Sequence, residues 1–424
     1  MHSSNQRRAV YVSLFVCLLV LSACSTGPGP ARGAPQTASV CSDMDIAWEY
    51  EGQVLDVFYQ VAYIHDLALQ GSGVHAIGRW AFESPTGMYY HLDAVTGTLN
   101  DRRFWRGREG QSTNLRTVAA APGSYGRVFL GGTITYLEEN RRNEYGYATS
   151  FYTGSQAYLS AVGTRSVSSF GAGPTHYALS LSNVDEQWIQ LHETYPSAGY
   201  FAVTDDALHK WAMPGASAAL AVTDTGTVFS TGSGHILFRG SPHDFTLTAG
   251  QGQIVGTSVH AQVQHLAQSQ PTVNRAGIVS GRVTPSDLGL APDTGAYVAG
   301  AFREHGSDLH DVYIARFSPD GQEVWSWAIA GTEGGAKKVH VNPKTGSPLV
   351  AWSAASGALR VIELDPDTGS ITDFRECPSQ SGWQYELHGF AIDQDGNMFF
   401  SGNKPFDAGL PGGGRGFVLR ARAP

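Results

Sequence analysis

Few side-chain groupings in this chain have the types and spacing to do chemistry. Asp393, Asp395 and Asn397 set oxygens at alternate positions, as a calcium loop does, but no later Glu completes such a loop. The same stretch fits a hairpin turn in which Asp caps the backbone and Gly396 takes a positive φ; Asp365-Pro-Asp367 and Asp320-Gly321 read likewise. His260 and His265 are too far apart for a helical zinc pair, His235 and His243 lie upstream without a third ligand, and HExxH is absent. Gly232-Ser233-Gly234-His235 lacks the GxSxG elbow of a nucleophilic serine. Neither GxxxxGKS nor a strand-to-helix GxGxxG occurs. No catalytic residue, metal site or cofactor is expected, and the remaining reactive groups are the cysteines.

Arg7 and Arg8 precede an uncharged run from Ala9 to Leu21, and no acidic residue occurs before Cys24. That run is far shorter than the about 20 residues a membrane span requires and matches the core of a signal peptide. It ends in Leu21-Ser22-Ala23-Cys24, which resembles the lipobox of bacterial lipoproteins. The resemblance implies that Cys24 becomes the acylated, palmitate-bearing first residue of the mature protein, with the bilayer as its partner. It also implies that Ser25, standing where Asp would retain the protein, directs it to the outer membrane. An ordinary secretory signal or a short anchor is the alternative. The expected organisation is a signal peptide at 1–23, a flexible Gly/Pro-rich tether at 24–41 and a folded body at 42–424. With Cys17 discarded and Cys24 lipidated, Cys41 and Cys377 remain, and an oxidising compartment favours their pairing if their Cα atoms can approach. Two separate buried thiols are the other possibility.

The elements that carry these residues follow from composition and repetition. The 424 residues are 42% hydrophobic and only 15% charged, against about 25% charged in an average domain. They contain 51 Gly, 18 Tyr, 19 Phe and 9 Trp, a mixture that fits short strands and tight turns better than helices. The fold class expected is all-β. The net charge is -9, and no basic cluster offers a face to nucleic acid.

A four-strand unit is plain near the C-terminus: Asp287-LGLAPDTG, Tyr297-VAGAFR, Asp311-VYIARFSPDG and Gln322-EVWSWAIAG. Lys338-VHVNPKTG, Ser347-PLVAWSA, Ala358-LRVIELDPDTG and Ser370-ITDFRE repeat it. A last copy, His388-GFAIDQDG, Asn397-MFFSGN and Arg415-GFVLRAR, lacks a fourth strand. Asp45-IAWEYEG resembles that strand in its Trp placement and final Gly, so the N-terminal strand is expected to complete the last blade of a β-propeller. Opening strands near 67, 118, 177, 220, 288, 339 and 390 give seven four-stranded blades, with six or eight as alternatives. The interval around Phe245 to Ile278 holds an insertion or an eighth degenerate blade, and Val259 to Gln270 reads as a short helix or a strand.

The sequence YVAGAFR, DVYIARFSPDG, EVWSW resembles the SBBP-type propeller repeat of bacterial extracytoplasmic proteins over about 283–424. His91-LDAVTGTLNDRRFW and Glu363-LDPDTGSITDF are also similar to the strand turns of quinoprotein-like propellers, some of which are dehydrogenases. That second resemblance would imply an adjacent Cys-Cys pair and a calcium-held quinone, and the chain has no adjacent cysteines.

Trp80, Trp105, Trp188, Trp325, Trp327 and Trp352 read as space-filling core rather than a carbohydrate platform. The segment Tyr136 to Tyr147, with Glu138, Glu139, Arg141, Arg142, Glu144 and Tyr145, reads as a long loop, either a solvated variable connection or a partner-binding loop. The function expected is a non-catalytic, monomeric scaffold, anchored to the outer membrane, that binds an envelope protein or glycan; a quinoprotein-like dehydrogenase or other propeller enzyme is the alternative.

Overall fold

The computed structural model describes residues 41, 43–51, 61–81, 86–105, 111–121, 127–138, 141–152, 160–161, 166–182, 187–193, 207–241, 253–255, 258–266, 276–379, 384–405 and 414–423. All belong to the compact unit Pro35–Pro424. The signal segment, Cys24 and the rest of the tether up to residue 40 lie outside the described residues.

Every regular element described is a strand. Sheet 1 contains Val61–Gln70, Gly73–Ala81, Thr86–Asp93 and Leu99–Trp105; sheet 2 contains Gln111–Ala120, Arg127–Glu138, Arg141–Tyr152 and Ser160–Ala161. Sheet 3 is Ser166–Ala172, His176–Ser182, Gln187–Glu193 and His209–Ala212; sheet 4 is Ser217–Val222, Val228–Gly232, His235–Gly240 and Gln253–Val255. Sheet 5 has five strands, Ser258–His265, Ala276–Leu290, Ala296–Glu304, Asp311–Phe317 and Glu323–Ala330. Sheet 6 is Lys338–Val341, Pro348–Ser353, Leu359–Leu364 and Ile371–Cys377. In sheet 7, Glu386–Ile392, Met398–Pro405 and Gly414–Ala421 are followed by the N-terminal strand Ile46–Glu51. The first strand of each repeat lines one central cavity, which makes the arrangement propeller-like.

Three expectations need correction. The opening strand of the third repeat is Ser166–Ala172, not the strand at Tyr177, which is second in its sheet. Equivalent opening residues are Leu67, Val118, Phe170, Leu220, Leu288, Val339 and Phe390, spaced 50 to 52 apart except between Leu220 and Leu288. Serine-rich Ser166–Ala172 has too weak an apolar signature to stand out in sequence. The long interval holds no separate sheet among the described residues. Ser258–His265 is a strand, pairing antiparallel with the start of Ala276–Leu290 and parallel with Glu323–Ala330, so sheet 5 closes on itself as a five-stranded barrel. Finally, Tyr136 to Tyr147 is not a loop. Arg127–Glu138 and Arg141–Tyr152 pair continuously from Arg127↔Tyr152 to Glu138↔Arg141, so the charges ride on a long hairpin; Glu139 lies outside the described residues.

Aromatic residues join neighbouring sheets by docking on turns. In the turn Asp365 to Gly369, the Asp365 carboxylate accepts from the amides of Asp367 and Thr368 and from the Thr368 hydroxyl, and Gly369 takes φ +68°. Trp327 of sheet 5 donates its indole N–H to Thr368 O at 2.9 Å. A Cβ on Gly369 would lie 2.5 Å from that indole, so glycine is required both for the backbone angle and for the contact. The turn Asp93 to Gly97 repeats the device: Asp93 caps Val95 and Thr96, and Trp48 of the N-terminal strand donates to Ala94 O at 3.2 Å. Among the aromatic core expectations, Trp325, Trp327 and Trp352 are buried, and Trp105 and Trp188 are half-buried. The side chain of Trp80 lies outside the described residues.

Ile46–Glu51 pairs antiparallel with Gly414–Ala421, from Ile46↔Ala421 to Glu51↔Phe417. Lys404, one strand further in, reaches across to Glu51 at 3.2 Å, and Arg415 holds Glu51 at 3.0 Å. Cys41 and Cys377 are disulfide-bonded, with Cα atoms 4.3 Å apart, and pack in the apolar seam between sheets 6 and 7. Because strand direction alternates, Cys377 at the end of a fourth strand stands at the end of the body where the first strands begin.

The bridge closes a loop of 336 residues, for which loss of chain entropy in the unfolded state gives roughly 5 kcal/mol as an upper figure. Reduction, or Cys41→Ser, is expected to lower the melting temperature by several degrees with cooperativity retained. Equal melting of oxidised and reduced protein in calorimetry would contradict this.

Candidate functional site

Six of the seven opening strands carry a one-residue register shift at the same place, leaving His65, Arg116, Ser168, Ala218, Ser286 and His388 without a cross-strand partner. Such a shift bends a strand and re-aims its side chains. In sheet 6 the opening strand starts just past that point, at Lys338, after the Lys337 amide has bonded to Ala351 O. The residue before the shift sends its amide to the preceding sheet: Ile64 N–H donates to Asn403 Oδ1 at 3.0 Å, Leu387 N–H to Ser353 Oγ at 2.7 Å, and Ala336 N–H to Gly300 O at 3.0 Å. The residue after it works in the other direction. Asp66 accepts from Val118 N–H at 3.2 Å, and Asp287 from Val339 N–H at 2.9 Å.

These strands surround a central cavity of about 460 Å³. At its polar end Lys338 Nζ lies 3.2 Å from Asp66 and 3.7 Å from Asp287. Asp66 belongs to sheet 1 and Lys338 to sheet 6, so the contact passes sheet 7, where the equivalent residue is Gly389. A Cβ on Gly389 would come within 2.4 Å of Ser401 Oγ and 2.8 Å of Leu67 N. Burial pushes both carboxyls above the ordinary aspartate range, against the pull of Lys338 and their backbone donors. Burial also opposes the Lys338 charge, yet Asp287 and Asp66 together hold its ammonium above the ordinary lysine value.

Three imidazoles adjoin this cluster. Burial, with the nearby Lys338 charge, lowers His340 to about 4. Burial lowers His65 to about 4 as well, helped by His388, Arg79 and Arg116. His65 and His388 meet edge to face, 6.1 Å between ring centres, and burial lowers His388 too. All three are neutral at pH 7.

The other half of the polar end is different. His65 Nε2, Ser168 Oγ and Ser169 Oγ are buried atoms with no hydrogen-bond partner, and all three residues line the cavity. Arg116, between them in the ring, is exposed and has no ion-pair partner among the described residues. A positive, under-satisfied arc from sheets 1 to 3 thus faces an internally paired Asp-Lys-Asp cluster. Beyond it the lining becomes small and apolar.

None of the residues singled out from sequence falls in this cavity. Asp393 caps the amides of Asp395 and Asn397 in a turn. His235 is fully buried against Ser230 and pushed to about 4 by burial, and His260 is exposed. His243, and the side chain of His265, lie outside the described residues. Among the described residues no group of three or more His, Cys, Asp or Glu is placed to hold a metal. Asp66, Arg116, Asp287 and Lys338 were missed, although Asp287 and Lys338 head the two clearest repeats. Their shared signal is a charge at the start of an otherwise apolar strand.

No protein-family model matches the chain, and no curated protein does. Among solved structures it is similar to a chain of the mitotic checkpoint complex, with TM-score 0.56 and 10% identity, over 94% of this chain and 99% of that one. It is also similar to Sqt1 from Chaetomium thermophilum (TM-score 0.49, 14% identity, 90% of this chain and 100% of that one). A third likeness is to YCF48 bound to a D1 peptide (0.48, 13%, 90% and 98%). The first of these likenesses shows a shared β-propeller fold and extends no further than fold.

Lys338→Met would leave two buried carboxylates facing each other, and removing one partner of a buried ion pair costs about 3 kcal/mol. The loss should be largest at pH 7 and shrink as the pH falls and Asp66 and Asp287 take up protons. A variant as stable as the parent in urea titration at pH 7 would show the cluster to be energetically idle. The histidines act with the opposite sign. Their folded pKa values are depressed, so the stability they contribute is complete above about 6.5 and is lost as the pH falls toward 4. For His340 alone the loss at pH 5 comes to about 2 kcal/mol, and His340→Gln should flatten the pH dependence of the melting temperature between 7 and 5.

Proposed function

We propose that the protein is a non-catalytic binding scaffold of the bacterial cell envelope, held to the outer membrane through an acylated Cys24. Its body is a seven-bladed propeller of the SBBP-repeat kind, one blade for each sheet. The observation that carries the binding role is the under-satisfied polar end of the channel. Residues from three successive sheets are brought to one rim on rigid strands and left with hydrogen-bonding capacity unused. Rigid scaffolds that present unpaired polar groups around a concavity are suited to recognition. The propeller fold shared with the mitotic checkpoint chain is compatible with a scaffold role.

The lipobox-like Leu21-Ser22-Ala23-Cys24 supports the anchor, and the Gly/Pro-rich stretch after it supports a flexible stand-off. Cys41, bonded to Cys377, stands at the end of the body where the first strands begin. Each buried CH2 of an acyl chain contributes about 0.8 kcal/mol, and two or more chains make anchoring durable.

Fractionation of cells carrying the full chain is expected to place it with outer membranes, with acylated Cys24 as the N-terminus in intact-mass analysis. Cys24→Ala should move it out of the membrane fraction. An unmodified N-terminus, or a variant that stays with the membrane, would overturn the anchor. Cross-linking from Arg116 should recover envelope material that the Arg116→Gln protein does not.

A further inference from the structure

The geometry points to the central channel as a site for a small aliphatic carboxylate, its head group on Arg116, Ser168 and Ser169 and its hydrocarbon tail directed down the channel. This goes beyond a scaffold role and does not depend on the lipid anchor.

The head-group site is defined by what lacks a partner. Ser169 is 3% exposed, lines the cavity, and its hydroxyl has no hydrogen-bond partner. The Ser168 hydroxyl beside it is likewise unpaired. A buried hydroxyl without a partner is costly, and a ligand that supplies an acceptor removes that cost. Arg116, on the neighbouring strand, also lines the cavity and carries a guanidinium without an ion pair among the described residues. One guanidinium and two hydroxyl donors match the two oxygens of a carboxylate. A doubly charged phosphate fits less well, because Asp66 and Asp287 line the same cavity and Lys338 is already shared between them.

The tail site is defined by the rest of the lining. One turn of side chains further along the channel stand Leu69, Val222, Leu290, Val341 and Ile392, contributed by five different sheets. A cavity of about 460 Å³ falls within the range of small-molecule pockets. Polar donors at one end and branched aliphatic side chains at the other orient an amphiphile in a single direction.

The test uses the full chain in a nonionic detergent, titrated calorimetrically with butyrate, hexanoate and octanoate and with the matching alcohols. Carboxylates are expected to bind with affinity rising roughly fourfold per added methylene, as about 0.8 kcal/mol per buried CH2 requires, and the alcohols at least tenfold more weakly. Arg116→Gln and Ser169→Ala should each weaken octanoate binding tenfold or more, with Arg116→Lys recovering part of the loss. Arg116 is exposed and the Ser169 hydroxyl has no partner, so both variants are expected to melt as the parent does. Absence of binding across the acid series, equal affinity for acid and alcohol, or unchanged affinity in both variants would overturn the assignment. The site rests on the same unpaired polar end as the binding role, whereas fractionation of the Cys24→Ala protein is unaffected by any of these outcomes, so failure of the ligand site and failure of the envelope anchor are distinguishable.

Discussion

Neighbouring sheets share no backbone ladder, so a ring of them must be joined by side chains and turns. At the channel the joints are backbone amides given to the neighbouring sheet, in both directions round the ring. The N–H just before the register shift is received by Asn403, Ser353 or the Gly300 carbonyl of the preceding sheet. A regular strand would point that amide along its own ladder. In sheets 1 and 7 the register shift releases it, and such a shift re-aims the side chains beside it. Assembly of the ring and the chemistry of its polar end therefore have one cause. The shift recurs in six strands, and at three of them, His65, Arg116 and Ser168, a polar side chain meets the cavity.

Those positions are filled unequally. From sheet 5 round to sheet 1, Asp287 and Asp66 share the Lys338 ammonium, and Gly389 keeps the route between Lys338 and Asp66 clear. From sheet 1 to sheet 3, His65, Arg116, Ser168 and Ser169 stay unpaired. A ring built only for stability would pair both halves, because burying an unpaired donor costs more than replacing it with an apolar group. The half that stays unpaired is the half with capacity for a ligand.

Much of the architecture was legible in the sequence because it is written in local chemistry. The Asp-x-x-Thr-Gly turns are capped by their own Asp, and the Trp residues of the outer strands dock on those turns, so turn and strand signals coincide at Gly97 and Gly369. Trp48 marked the N-terminal strand as a displaced fourth strand for the same reason. The opening strand at Ser166 is hard to read in sequence because Ser168 and Ser169 face the cavity, and the more apolar strand at Tyr177 carries the stronger signal. The hairpin at Ser258 was ambiguous because its alternation serves a barrel closed by parallel pairing with Glu323–Ala330, a contact about 65 residues distant that no local pattern encodes. The candidate site was illegible for a related reason. It is assembled from one or two residues per repeat, and those residues depart from the repeat.

The depth of the channel depends on a tier of small side chains. Three residues past the register shift stand Ala68, Ala119, Gly171, Ala221, Gly289 and Ala391, with His340 as the exception. Larger side chains there would fill the space where seven strands converge, and the cavity would close. His340 fills one seventh of that tier with a neutral imidazole stacked edge-on against Phe390, 5.9 Å between ring centres. Its depressed pKa keeps a second positive charge away from Lys338 at neutral pH, so the deep part of the channel stays uncharged while the mouth does not. This separation of charge along the axis gives the channel its polarity. An amphiphile entering tail first from the mouth leaves its charge beside Arg116, whereas the reverse orientation would carry that charge into the aliphatic tier without a partner.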